Sequence, residues 1–156
     1  MTTAKVDDKK FARDAAENGL IEVELSKLAM QKTSRDDIKQ FAEKMVDDYS
    51  KVNDQLKEVA AKENIQIPDS TDNKHQSRVD RLGKLSGDEF DKAYIKDQVK
   101  EQQATVRDFN AEAQSGADPN VKAFASNRLP ALQSHLDEAK NLSKSEKNMA
   151  KQAKGQ

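Results

Sequence analysis

Glu22 and His135 are the residues of this sequence best suited to chemistry, because each falls on a helical face that is otherwise apolar. With side chains placed at about 100° per residue, Glu22 sits inside an arc of Phe11, Ala12, Ala15, Gly19, Val23, Leu25 and Ala29. His135 is flanked by Phe124, Leu132, Ala139 and Leu142. Tyr49 lies near the centre of a face made by Ile38, Phe41, Met45, Val52, Leu56 and Val59. Gln98 and Gln102 fall among Tyr94, Ile95, Val99, Val106 and Phe109. Counted from the turns, Glu22, Tyr49, Gln102 and His135 come within roughly a turn or two of one level, so four helices each supply a hydrogen-bonding side chain to one interior layer. A carboxylate and an imidazole on facing helices can bind a divalent cation, which makes Glu22 and His135 a candidate metal site. Such a layer can equally be a hydrogen-bond cluster that fixes helix register, since buried polar groups are costly unless paired. Both readings stand at this point.

Other chemistry is poorly supplied. The chain has no cysteine, which removes disulfides, thiolate metal sites and cysteine nucleophiles. Neither histidine has a Glu three residues before it, so the paired Glu-x-x-His pattern of a di-iron oxidation centre is missing. Gly83-Lys84 and Gly87 belong to no phosphate loop, and there is no Gly-x-Ser-x-Gly elbow. His75, on a polar crossover, reads as a surface residue, and Asn141-Leu142-Ser143 as a chance glycosylation triplet. The expectation is a protein that is not an enzyme and has no cofactor, unless a divalent metal occupies the layer.

The elements that must hold this layer are helices. Few glycines and prolines, with abundant Ala, Lys, Glu, Gln and Asp, make a long-helix composition. Helix one should span about Asp7 to Gln31, and helix two, capped by Ser34 with Asp37 three residues on, should end near Glu63. A crossover follows, with a short helical piece from Asn73 to Leu85. Helix three should cover Asp88 to Ser115 and stop at a left-handed Gly116. Helix four, capped by Asp118 with Pro119 in its first turn, should reach Ser143, with Pro130 bending or breaking it. Residues 144–156 read as a lysine-rich frayed end or tail, leaving 7–143 as the domain. Two short connections and one long crossover describe an antiparallel, ferritin-like four-helix bundle, an all-α fold. Ile38 to Ala42 and Val121 to Ala125 form a faint internal repeat, each opening the second helix of a hairpin.

Charge and length bound the partners. The 156 residues carry 27 basic against 28 acidic side chains, with no aromatic-studded basic strip, which argues against nucleic acid. No run has the ~18 apolar residues of a membrane helix, and the first ten residues lack the apolar stretch of a signal sequence. A protein partner of unknown identity remains open, with the chain a monomer or a dimer.

Several segments together resemble the bacterial family called domain of unknown function 4142. They are FARDAAENGLIEVELSKL from Phe11 to Leu28, FAEKMVDD from Phe41 to Asp48, LSGDEFDKAY from Leu85 to Tyr94, Asp118 to Ala125, and LPALQSHL from Leu129 to Leu136. The resemblance covers nearly the whole chain. It implies a ferritin-like bundle and a periplasmic or other extracytoplasmic address, the chain being a mature form with Met1 added. It also implies a histidine after the Asp matched by Asp48, where this chain has Tyr49, and a second where it has Gln102. Glu22 and His135 match the pattern. If the family's Glu and three His form a metal site, this member retains half of it, and its polar core has outlasted lost or weakened metal binding.

Overall fold

The computed structural model describes residues 7–155; Met1 and Gln156 lie outside them. The chain is all-α, with helices α1 (Asp8–Lys32), α2 (Asp36–Lys62), α3 (Asn73–Gly83), α4 (Gly87–Ser115) and α5 (Pro119–Lys154). No strand occurs among the described residues. Helices α4 and α5 are thus the third and fourth long helices expected from the sequence. The hairpins α1–α2 and α4–α5 are the most extensive packing pairs; α2 also meets α5, α1 meets α4, and α3 lies against α1 and α4.

The helix starts follow from their capping residues. The Asp7 carboxylate accepts from the backbone N–H of Lys9 and Lys10, and that of Asp118 from Asn120 and Val121, satisfying donors that have no partner within the helix. At α2 the expectation fails. Its N-cap is Arg35, without a side-chain cap bond, while the Thr33 hydroxyl accepts from the Arg35 N–H at 3.1 Å. The Arg35 side chain instead pairs with Asp37 and with Glu146 of α5, so two ion pairs anchor this corner.

Helix ends also depart from expectation. Gly116 has φ −62°, not a left-handed value; what calls for glycine there is close approach, since a Cβ would lie 2.7 Å from the Glu112 carbonyl oxygen. The left-handed stop is at Asn64, φ 54°, where the Ile65 N–H reaches back to the Ala60 carbonyl and an asparagine tolerates the conformation. Pro130 does not interrupt α5. Pro130 and Ser126, whose carbonyl the ring would otherwise leave without a partner, are both exposed, so water can solvate that carbonyl. Past Ser143 the chain stays helical to Lys154, and among the described residues none beyond Leu142 is fully buried.

Phe11, Phe41, Phe109 and Phe124 belong to one core, as the helical wheel requires. Phe11 meets Phe109 edge-on at 4.8 Å, a geometry that adds roughly 0.5–1.5 kcal/mol to the area term. The wheel misses Ile21, Ser26, Phe90, Val121 and Leu136, which are buried, and includes Ala15, Val23, Val59, Val99 and Val106, which are only partly so. The arcs of α1 and α4 are wider than a single stripe because each faces three neighbours.

Helix α3 buries only Leu82 fully, with Val79, and Leu85 just beyond its end, partly covered. Native-state hydrogen exchange should accordingly be faster through α3 than at Val52 of α2 or at Phe109 of α4; equal or slower exchange in α3 would show that the crossover is a core element.

Candidate functional site

The layer expected from the sequence exists, and it is sealed. Glu22 and Gln102 are 0% exposed, His135 is 2% and Tyr49 is 4%. The Gln98 side-chain amide donates to Glu22 Oε2 at 2.8 Å, and Gln102 donates to Gln98 Oε1 at 3.2 Å. The Tyr49 hydroxyl donates to Gln102 Oε1 at 3.3 Å. One relay therefore runs from α1 through two glutamines of α4 to α2. Burial, then the Glu22 charge, pushes the Tyr49 hydroxyl above its ordinary pKa, so it remains a donor.

Glu22 and His135 do not bond to each other. His135 Nε2 lies 2.7 Å from Asp48 Oδ2 on α2, and its ring is 6.0 Å from that of Tyr49, centre to centre. With Nε2 facing the Asp48 carboxylate, the buried Nδ1 has no hydrogen-bond partner. His135 thus meets the relay through the face of Tyr49 and reaches the surface through Asp48, one-third of whose side chain is exposed.

The other end is closed by a residue that the helical wheel does not find. Arg78, on α3, donates to both oxygens of Asp97 at 3.3 and 2.8 Å and sits 3.6 Å from Glu22 Oε1. Burial is the main force that raises the Glu22 carboxyl, to about 7, with Asp97 adding to it and Arg78 and the Gln98 bond opposing it. The only sequence signal for Arg78 is that it shares a helical face with Val79 and Leu82, a stripe too short for an intruding charge to stand out. A level away, Ser26 and Tyr94 share a 2.9 Å hydrogen bond that also ties α1 to α4.

A second cluster lies outside this layer. His75 Nδ1 is 2.7 Å from Asp72 Oδ1 and 3.3 Å from Glu17 Oε2 on α1. Asp72 is also the N-cap of α3, accepting from the His75 N–H at 2.8 Å. His75, read from the sequence as a surface residue, is partly buried against two carboxylates.

The raised Glu22 carboxyl gives stability a definite pH dependence. Below its ordinary value of 4.5 it is protonated whether folded or not; between 4.5 and about 7 the folded protein keeps a proton that the unfolded chain releases. Stability should therefore fall as pH rises through that window, by roughly 3 kcal/mol from this group. Glu112, also buried, is pushed up to about 8 by burial and then by Asp8, and acts with the same sign. In Glu22→Gln the loss of stability from pH 5 to pH 8 should shrink, and Glu22→Ala at pH 5 should cost about 1–3 kcal/mol because Gln98 loses its acceptor. Denaturant melts at the two pH values check both, and an unchanged slope in Glu22→Gln would place the carboxyl in a watery environment.

Comparisons with known proteins bear on the fold and the family. A putative secreted protein of the DUF305 type from Streptomyces coelicolor is similar in structure, with a TM-score of 0.74 at 14% identity, over 89% of this chain and 91% of that one. A DUF305 fragment from Deinococcus radiodurans gives 0.76 at 10% identity, over 88% and 95%. At such identities the likeness speaks for the helical fold alone. No curated protein matches the sequence. The model of a family described as a domain of unknown function, DUF4142, matches residues 1–142, and the chain belongs to that family.

Proposed function

We propose that this chain is a non-enzymatic, ferritin-like helical bundle of the bacterial cell envelope, partner-binding or stress-related, whose interior is a degenerate metal site kept as a structural lock. The observation that carries the reading is the sealing of the layer: Glu22, Tyr49, Gln102 and His135 are at most 4% exposed, and their polar atoms are spent largely on protein partners. A substrate has no approach to groups so placed, and one oxygen of Glu22 is already held by Gln98. An extracytoplasmic address fits the family resemblance, and among the described residues no helix is long and apolar enough to cross a membrane. Residues 7–143 would form the bundle domain and 144–156 a polar extension.

One observation favours a second reading, metal binding or metal-dependent oxidation in the interior. Glu22 Oε1 and His135 Nδ1 are both buried without a hydrogen-bond partner, and both are competent ligand atoms for Zn²⁺, copper or iron. Tyr49 and Gln102 stand between them and bind such ions poorly.

Restoring the histidines separates the two readings. In a His75→Ala background, which removes the surface imidazole, Zn²⁺ titration should find little binding in the parent and at least about tenfold stronger binding in Tyr49→His/Gln102→His, roughly 1.4 kcal/mol. That gain should disappear with His135→Ala. Tight binding by the His75→Ala parent, lost on His135→Ala, would instead establish the interior as a working metal site. Equal weak binding in all variants would mean that the four positions do not converge on a cation.

A further inference from the structure

The cluster of Glu17, Asp72 and His75 has the make-up of a cation site, and it stands apart from the interior layer. Each residue offers one ligand atom, and the three atoms lie within 4.8 Å of one another. Ligands at about 2.0–2.1 Å around a tetrahedral Zn²⁺ are about 3.3 Å apart. His75 Nδ1 already faces carboxylate oxygens at 2.7 and 3.3 Å, so binding would require only small side-chain movements. The bond from the His75 N–H to Asp72 Oδ1 need not be given up, because a carboxylate has lone pairs for both roles.

Electrostatics points the same way. The two carboxylates crowd one imidazole: burial, and then the charge of Asp72, holds Glu17 above its ordinary pKa. They open onto a groove of about 540 Å³ between α1, α3 and α4, whose walls carry six carboxylates against two lysines. One of those, Lys10, is already paired with Asp14 at 2.6 Å. Such a groove concentrates cations from solution. Glu17, Asp72 and His75 side chains are 22%, 49% and 25% exposed, so an ion can enter and keep water as further ligands.

We propose that Glu17, Asp72 and His75 form a surface site for a first-row divalent cation of the Zn²⁺ type, which clamps the crossover helix α3 onto α1. The site needs no ligand from the interior layer, so it stands or falls independently of the function proposed above. A bound ion would join the N-terminus of the element with the thinnest core contact to α1 of the first hairpin. Its role is structural: it holds α3, and with it Arg78, over Glu22.

Titration of untagged protein with Zn²⁺ should give saturable binding near one equivalent. Binding should weaken at least about tenfold in Glu17→Gln and in His75→Ala, roughly 1.4 kcal/mol each. Both side chains are partly exposed, and circular dichroism should find the variants fully folded. Zn²⁺ should also slow hydrogen exchange in α3 of the parent and leave α3 of His75→Ala unaffected, a local response that binding elsewhere would not produce. Binding that survives both substitutions, no saturable binding by the parent, or slowed exchange confined to other helices would each overturn the proposal.

Discussion

A carboxylate with no access to water organises this bundle. Glu22 is 0% exposed on α1, and its tolerated burial depends on the Gln98 amide at 2.8 Å and the Arg78 guanidinium at 3.6 Å. Removing either group would push the carboxyl further towards its neutral form and leave a buried polar atom short of a partner, at a cost of about 1–3 kcal/mol. Helices α1, α4 and α3 must therefore meet in one register. The glutamine relay carries the same requirement across to Tyr49 on α2, and Asp48 and His135 bring in α5. Apolar packing would tolerate a slipped helix more readily than this chain of directional bonds does.

The crossover takes its meaning from that layer. Helix α3 contributes one fully buried apolar side chain, Leu82, yet it positions Arg78 between Glu22 and Asp97. At its N-terminus Asp72 and His75 meet Glu17 of α1. A segment with little core of its own is thus fixed mainly by charges. Its attachment should respond to pH and to cations more than that of the long helices, which share an extensive apolar core besides their polar layer.

Much of this was legible in the sequence because helical periodicity is a local property. The positions of Glu22, Tyr49, Gln102 and His135 on apolar faces follow from spacing alone, and all four are buried. Their partners were less legible. The pairing of His135 with Asp48 rather than Glu22 depends on the rotation of α2 against α5, which no single-helix pattern encodes. Arg78 and His75 share the one apolar face of α3 with Val79 and Leu82, but a stripe of two apolar residues is too short for an intruding charge to stand out in the sequence. Caps went the same way: Asp7, Asp118 and Pro119 carry their own geometry, whereas Ser34 lost its role to Arg35, which is held by ion pairs to Asp37 and to distant Glu146. Asn64 rather than Gly116 adopts the left-handed stop because the Schellman bonds close at the end of α2.

The central claim is that Glu22 is a buried, hydrogen-bonded carboxyl on which the register of the bundle depends. A carbon-13 NMR titration of its side-chain carboxyl in the folded protein tests this most directly. Midpoint titration near pH 7, accompanied by shifts of the Gln98 side-chain amide, is the predicted result. A midpoint at the ordinary 4.5, with the Gln98 amide unmoved, would contradict it.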